Sequence, residues 1–184
     1  VQERLVATES AQELVSIATN MSLVKGMDAV NVATCVFRLG KYRPRNGASM
    51  PEDYPAAVRN VLGRARELIS HLQARAVSNI CYGIAIGRLH ELAAEQCRTV
   101  MSEAMHACDV RSFAEQNLSN TVWAFATTGF READVFKAVA AEMRMKSRRE
   151  MDMTLLIRLF NAEESCILDI GNEKSLLLLR HFGI

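Results

Sequence analysis

Glu115 to Gly129 reads EQNLSNTVWAFATTG, and the pattern stands twice more upstream, as RAVSNICYGIAIG from Arg75 to Gly87 and as DAVNVATCVFRLG from Asp28 to Gly40. Superposing Asn31, Asn79 and Asn120 aligns Ala29, Val77 and Leu118 two residues earlier and Val36, Ile84 and Phe125 five residues later. The same register aligns Cys35, Gly83 and Ala124, small side chains at which a neighbouring helix can come close, and sets a glycine at or near the end of each copy. A fainter fourth copy puts Met153, Leu155, Leu159 and Phe160 at the positions of Leu118, Asn120, Ala124 and Phe125. A repeat that decays at the end of an array is what a capping unit looks like.

Equivalent positions are separated by 48, 41 and 35 residues, the range of helical solenoids rather than of heptads. Most of the excess in the first interval comes from Lys41 to Tyr54 (KYRPRNGASMPEDY), which holds two of the three prolines. Without that insertion the unit is about 38 residues, or two helices per repeat. The other helix of each unit is an i, i+3, i+4 stripe: Val58, Val61, Leu62, Ala65, Leu68 and Ile69 in one, and Val135, Phe136, Val139, Ala140 and Met143 in another. Leu89 to Cys108 reads the same way through Leu92, Ala93, Val100, Met101, Ala104 and Met105. The first helix is expected near Ser10 to Met21, with Leu14, Ile17, Ala18 and Met21 inward. Ser10 with Glu13 and Ser112 with Glu115 fit the capping box, and Pro55 suits a first helical turn.

Nothing alternates with period two for long enough to make a sheet. The expectation is therefore an all-α chain, an α-solenoid of about four stacked helical hairpins forming one domain over 1–184. Repeat 1 covers about 8–40, the insertion 41–54, repeat 2 about 55–87, repeat 3 about 89–129, degenerate repeat 4 about 131–161 and a tail 162–184. Composition agrees: 49% hydrophobic but only 6% aromatic leaves Ala, Leu, Val, Ile and nine Met to build the interior, which suits helix packing. The longest apolar runs fall far short of the roughly 18 residues that span a bilayer. The chain opens on Val1 rather than methionine, as a processed protein or a piece of a longer one would.

Catalytic and metal chemistry find little footing. The five cysteines, 35, 81, 97, 108 and 166, form no C-x-x-C pair and read as reduced, buried thiols. His106 and Cys108 lack partners at ligand spacing. His71, His90, His106 and His181 accompany no glycine-rich loop, nucleophile elbow or H-E-x-x-H. Glu163 and Glu164 are adjacent and point in different helical directions, whereas Glu91 and Glu95, at i and i+4, share a helix face that reads as solvated. The expectation is a protein that is not an enzyme, with no cofactor and no small-molecule substrate.

LSNTVWAFATTG, with the weaker AVSNICYGIAIG and AVNVATCVFRLG, resembles the second helix of octotricopeptide repeats, whose hallmark is a leucine-alanine-asparagine, tryptophan-alanine, alanine-x-x-glycine pattern. Leu118, Asn120, Trp123, Ala124, Ala126 and Gly129 occupy hallmark positions, with Ser119 in place of an alanine. The second copy has Tyr82 and Gly83 for the tryptophan-alanine pair, and the first has Thr34 and Cys35. The resemblance implies an RNA-binding α-solenoid of a mitochondrion, or alternatively a chloroplast, acting in transcript maturation, stability or translation, or as part of a ribonucleoprotein such as an organellar ribosome. The RAP domain that often ends such chains is not recognisable in the apolar tail from Cys166 to Ile184. The partners implied are RNA and other subunits of the assembly; the alternative is a protein scaffold without RNA contact.

The residues themselves support RNA binding only modestly, because a net charge of +1 gives no global attraction to a polyanion. Two local clusters are basic: Arg38, Lys41, Arg43 and Arg45 around the insertion, and Arg144, Lys146, Arg148 and Arg149 where the third hairpin meets the fourth. Both fall at helix ends or loops, which a solenoid is expected to bring to one rim for phosphate contact. Arg75 and Gln116 stand one turn before the recurring asparagines and are expected to face a ligand. Asn31, Asn79 and Asn120 suit base-edge pairing, but the preferred reading has them satisfying backbone groups of a neighbouring helix or turn. Trp123 is expected in the core rather than as a stacking platform.

Overall fold

The computed structural model describes residues 1–8, 10–44 and 49–147. Among these residues the chain is all-α and contains no strand. The helices are α1 (Gln2–Ala7), α2 (Ala11–Thr19), α3 (Met21–Lys25), α4 (Ala29–Tyr42), α5 (Tyr54–Glu67), α6 (Ala74–Ile86), α7 (Ala94–Ala107), α8 (Glu115–Thr128) and α9 (Ala133–Ser147). The three recurring segments are α4, α6 and α8. They pack side by side into one layer, and α2, α5, α7 and α9 follow one another in a flanking layer against them. The second helix of the degenerate fourth repeat, at 148–161, and the tail at 162–184 lie outside the described residues.

The recurring layer is held by backbone proximity. A Cβ placed on Gly83 would lie 2.7 Å from the Cα of Phe37, and one on Gly40 would run into the carbonyl of Gly83. Gly87 in turn meets the Cα of Gly40. Gly83 therefore does what its small-residue register implies, and Gly40 and Gly87 serve the same crossing of α4 on α6. Gly129 differs: its φ of 69° ends α8, and the N–H of Phe130 closes back on the carbonyl of Phe125 while the Phe130 ring turns inward. Gly87 and Gly129, each closing a copy of the repeat, thus answer different physical needs. Cys35 and Ala124, the other small positions, are fully buried.

Both layers feed one continuous core. Val58, Val61, Leu62 and Ala65 of α5, Val100, Met101, Ala104 and Met105 of α7, and Val135, Val139, Ala140 and Met143 of α9 are all buried, as their spacing requires. Each of the Val, Leu and Met side chains contributes about 1.5–3 kcal/mol on burial, and each Ala less. Polar ties fix α5 in place: Arg64 donates twice to the carbonyl of Met27, in the turn before α4, at 3.1 and 2.9 Å, and Asn60 donates to the carbonyl of Ala18 in α2 at 3.2 Å.

Several local expectations are corrected. Ser10 caps α2 by accepting from the N–H of Glu13, as the capping box requires, but Asn20 then breaks the chain and starts α3 by accepting from Ser22 and Leu23 at 3.1 Å each. Met21, at the start of that new helix, is half exposed rather than inward. Ser112 caps nothing: Asp109 opens a single 3-10 turn over Val110–Ser112, the Ser112 hydroxyl donates to the Asp109 carbonyl at 2.5 Å, and α8 begins after Ala114. The stretch from Leu89 to Cys108 is not one helix, because Arg88 takes a left-handed φ of 49° and a 3-10 turn over Leu89–Glu91 precedes α7. Glu91 and Glu95 therefore share no helix. The insertion is also shorter than its prolines suggest: Lys41 and Tyr42 finish α4, and Tyr54 begins α5 with its ring buried and its hydroxyl donating to the carbonyl of Leu39.

Candidate nucleic-acid interface

The helical period sets Arg75, Asn79, Tyr82 and Ile86 on one face of α6, and Gln116, Asn120, Trp123 and Thr127 on the matching face of α8. Arg75 and Gln116 are exposed, and the other six are intermediate in burial. The two helices run the same way. Tyr82 meets Trp123 with ring centroids 5.3 Å apart, and His90, just past α6, meets Phe130, just past α8, at 6.1 Å. Phe37 of α4 stacks on Tyr82 at 6.2 Å and 23°, so three rings form a row across α4, α6 and α8. Trp123 packs against the core without entering it, which corrects the expectation of a buried tryptophan.

The recurring amides do not bond neighbouring backbone. Among the described residues none of the three asparagine side chains has a hydrogen-bond partner, and Asn31 Oδ1 is buried without one on a residue only 8% exposed. Asn31 is engaged through its backbone instead, its N–H donating to the capping carboxylate of Asp28 at 2.8 Å. The structural role preferred for these amides is thus unsupported by any contact. Thr127 Oγ1, one turn past Trp123, and Ser78 Oγ on α6 are likewise buried and unpartnered among the described residues.

The basic residues divide. Arg38 donates through Nε to Thr8 Oγ1 at 3.1 Å and through Nη2 to the Thr8 carbonyl, pinning the segment after α1 to α4. Arg43 donates to the carbonyls of Gly87 and Arg88 at 2.7 and 2.6 Å and to Glu91 at 3.0 Å. Burial alone would raise the Glu91 carboxyl, but the hydrogen bond from Arg43 and the charge of Arg88 bring it below the usual range. Lys146 donates to the carbonyls of Arg111, at 3.3 Å, and Phe113, and pairs with Glu142 at 3.3 Å. Lys41 rests on the ring of Tyr42, and Arg75 and Gln116 have no side-chain partner among the described residues. Arg144 lies on α9; Arg45, Arg148 and Arg149 lie outside the described residues.

Arg43 and Lys146, one from each cluster, also sit at opposite rims, not one. Arg43 closes on the C-terminal end of α6, whereas Lys146 closes on the residues that precede the N-terminal end of α8. With α6 and α8 running the same way, those are opposite edges of the layer.

The thiols and histidines differ in their surroundings. The thiols of Cys35, Cys81 and Cys97 are pushed up to about 12 by burial. Both ring nitrogens of His106 face acceptors, the Ser102 carbonyl at 2.7 Å and the Asp134 carboxylate at 2.6 Å, so both bonds form when the ring is protonated and donates from each, and the Asp134 hydrogen bond raises its pKa. Burial lowers the pKa of His90, whose Nδ1 has no partner among the described residues. Among the described residues no three His, Cys, Asp or Glu side chains converge as a metal site, and no helix is long and apolar enough to cross a membrane.

Phe37 is the participant that sequence reading missed. It stands one turn after Thr34, so the hallmark register points past it, yet the i, i+3 rule places it on the same face. No family model, no curated protein and no solved structure matches the chain.

Proposed function

We propose that the chain is an α-solenoid of about four helical hairpins that acts as a non-catalytic RNA-binding repeat protein of a mitochondrion, or of a chloroplast, within a ribonucleoprotein such as an organellar ribosome. The observation that carries the reading is the shared face of α6 and α8, where the same four positions repeat with Arg75 and Gln116 exposed and Asn79 and Asn120 unbonded among the described residues. Amides held ready in register are what base-edge reading by successive repeats requires. The organellar setting rests on the octotricopeptide resemblance alone. Few units bind few nucleotides at about one base per repeat, so membership in a larger assembly supplies the rest of the affinity.

A protein scaffold is the second reading, and one observation favours it: Arg38, Arg43 and Lys146 are already committed to backbone carbonyls. Crosslinking within the native particle separates the two. Nucleotides attached at Arg75 and Gln116 support RNA binding, and polypeptide alone at both positions leaves the scaffold.

A further inference from the structure

We propose that the row Phe37, Tyr82 and Trp123 is a floor on which unpaired bases of single-stranded RNA lie, with Arg75 as the cation holding the sugar-phosphate chain beside it. The proposal rests on the RNA reading above and deepens it by naming the form of RNA and the force that holds it.

Three observations converge. First, the rings are contiguous, at 6.2 and 5.3 Å, yet each remains partly exposed, so the row is an open strip rather than a filled core. Centroids this close leave no slot for a base to slide between neighbouring rings. The bases must lie across the strip, where stacking and apolar contact serve any of the four. Second, the row is flanked by polar groups with no partner among the described residues: the partly exposed Asn79 and Asn120 amides one turn before the rings, open to a ligand, and the buried Thr127 Oγ1 one turn after. A buried polar group left unbonded, as Thr127 Oγ1 is, is costly in the free protein and is relieved by a ligand that supplies a partner. Third, Arg38, Arg43 and Lys146, cations that would favour a backbone-only mode, are committed to backbone carbonyls, while Arg75, on the same face as Tyr82, is exposed and has no partner among the described residues.

A duplex cannot use such a strip. Its bases are already stacked on one another, and it offers a protein its phosphates and its 2′-hydroxyl groups instead.

Trp123 is the chain's one tryptophan, so its emission reports on the strip without a label. The full chain is titrated with single strands of about 12 nucleotides, oligo-A, oligo-U and a mixed sequence, and with the mixed sequence as a duplex. Single strands are expected to quench Trp123 and the duplex to leave it unchanged. Tyr82→Leu is expected to weaken single-strand binding about tenfold, while Tyr82→Phe, which keeps the ring, retains it. Thermal melts of both variants establish that they fold, and the wild-type quench stands without either. If single strands bind but Trp123 emission does not change, the stacking floor is overturned and RNA binding survives. If the duplex quenches as strongly as the single strand, the stacking floor is likewise overturned. If no strand binds, both fall and the face is a protein surface.

Discussion

The recurring layer and the flanking layer are built from helices of similar length, but they close on their neighbours by opposite means. In the first, α4 and α6 touch through backbone at Gly40, Gly83 and Gly87, and the approach between successive helices is much closer than in the second. In the second, α5 and α7 are bridged by a two-pronged Arg66–Glu103 pair at 2.9 and 3.1 Å, and α7 and α9 by His106 and Asp134. Close approach restricts residue size at fixed positions, whereas long charged side chains reach across a gap from several. Sequence repetition therefore survives where backbones meet and drifts where side chains span.

The largest effect comes from closing the glycine contact. Gly83→Val pushes a branched side chain against the Phe37 backbone, which cannot retreat without moving α4. Destabilisation of about 3 kcal/mol or more is expected in chemical or thermal unfolding. A loss below about 1 kcal/mol would mean that the two helices are not held at this crossing.

That same contrast explains how much could be read in advance. The three recurring helices were legible because their small residues recur in register, and the flanking helices because Val58, Val61 and Leu62 or Val135 and Val139 mark one face. Element ends were less legible. Asn20 and Asp109 each carry a short side chain that bonds its own backbone, and that local choice outcompeted the helical pattern running through it. The face was legible in Asn79, Tyr82, Asn120 and Trp123, but not in its chemistry: whether an amide is bonded, or an arginine free, depends on what the chain brings from 30 or more residues away. Arg38 meets Thr8 and Arg43 meets Gly87 across such distances, and nothing local to either arginine announces it.

The next effect separates those arginines. Arg43→Ala removes donors from two carbonyls at the turn after α6 and is expected to cost about 1–2 kcal/mol. Arg75→Ala, which breaks no bond among the described residues, is expected to change stability by no more than about 0.5 kcal/mol and to weaken RNA binding. Paired melting and RNA titrations check both. Equal stability losses would erase the distinction between a bracing arginine and a ligand-facing one.

A smaller and opposite effect belongs to Gly63 on α5. A Cβ there meets nothing within 4 Å, and the position is exposed in mid-helix. Gly63→Ala is therefore expected to stabilise the chain by about 0.5–1 kcal/mol, the helix-propensity difference, where the glycines of the recurring layer tolerate no such change. A destabilised variant would show that the flanking layer also packs by backbone.

The smallest effect tests the charged bridging of the flanking layer itself. The hydrogen bond to Asp134 raises the pKa of His106 above its ordinary 6.5, and the same bond lowers Asp134 below 3.8. The histidine's contribution to stability is full below about pH 6.5 and is lost as pH rises through its folded value; the aspartate's is full above about pH 3.8 and is lost as pH falls through its folded value. The pair should therefore stabilise α7 against α9 mainly between those limits, and modestly, because both side chains are more than half exposed. The melting temperature of wild type minus that of Asp134→Asn should peak in mildly acidic buffer and shrink on either side. In the same variant the His106 ring resonances, followed by NMR, should titrate at lower pH than in wild type. If the His106 titration does not move, the two helices are not joined through this pair, and the flanking layer is held by its buried aliphatic stripe alone.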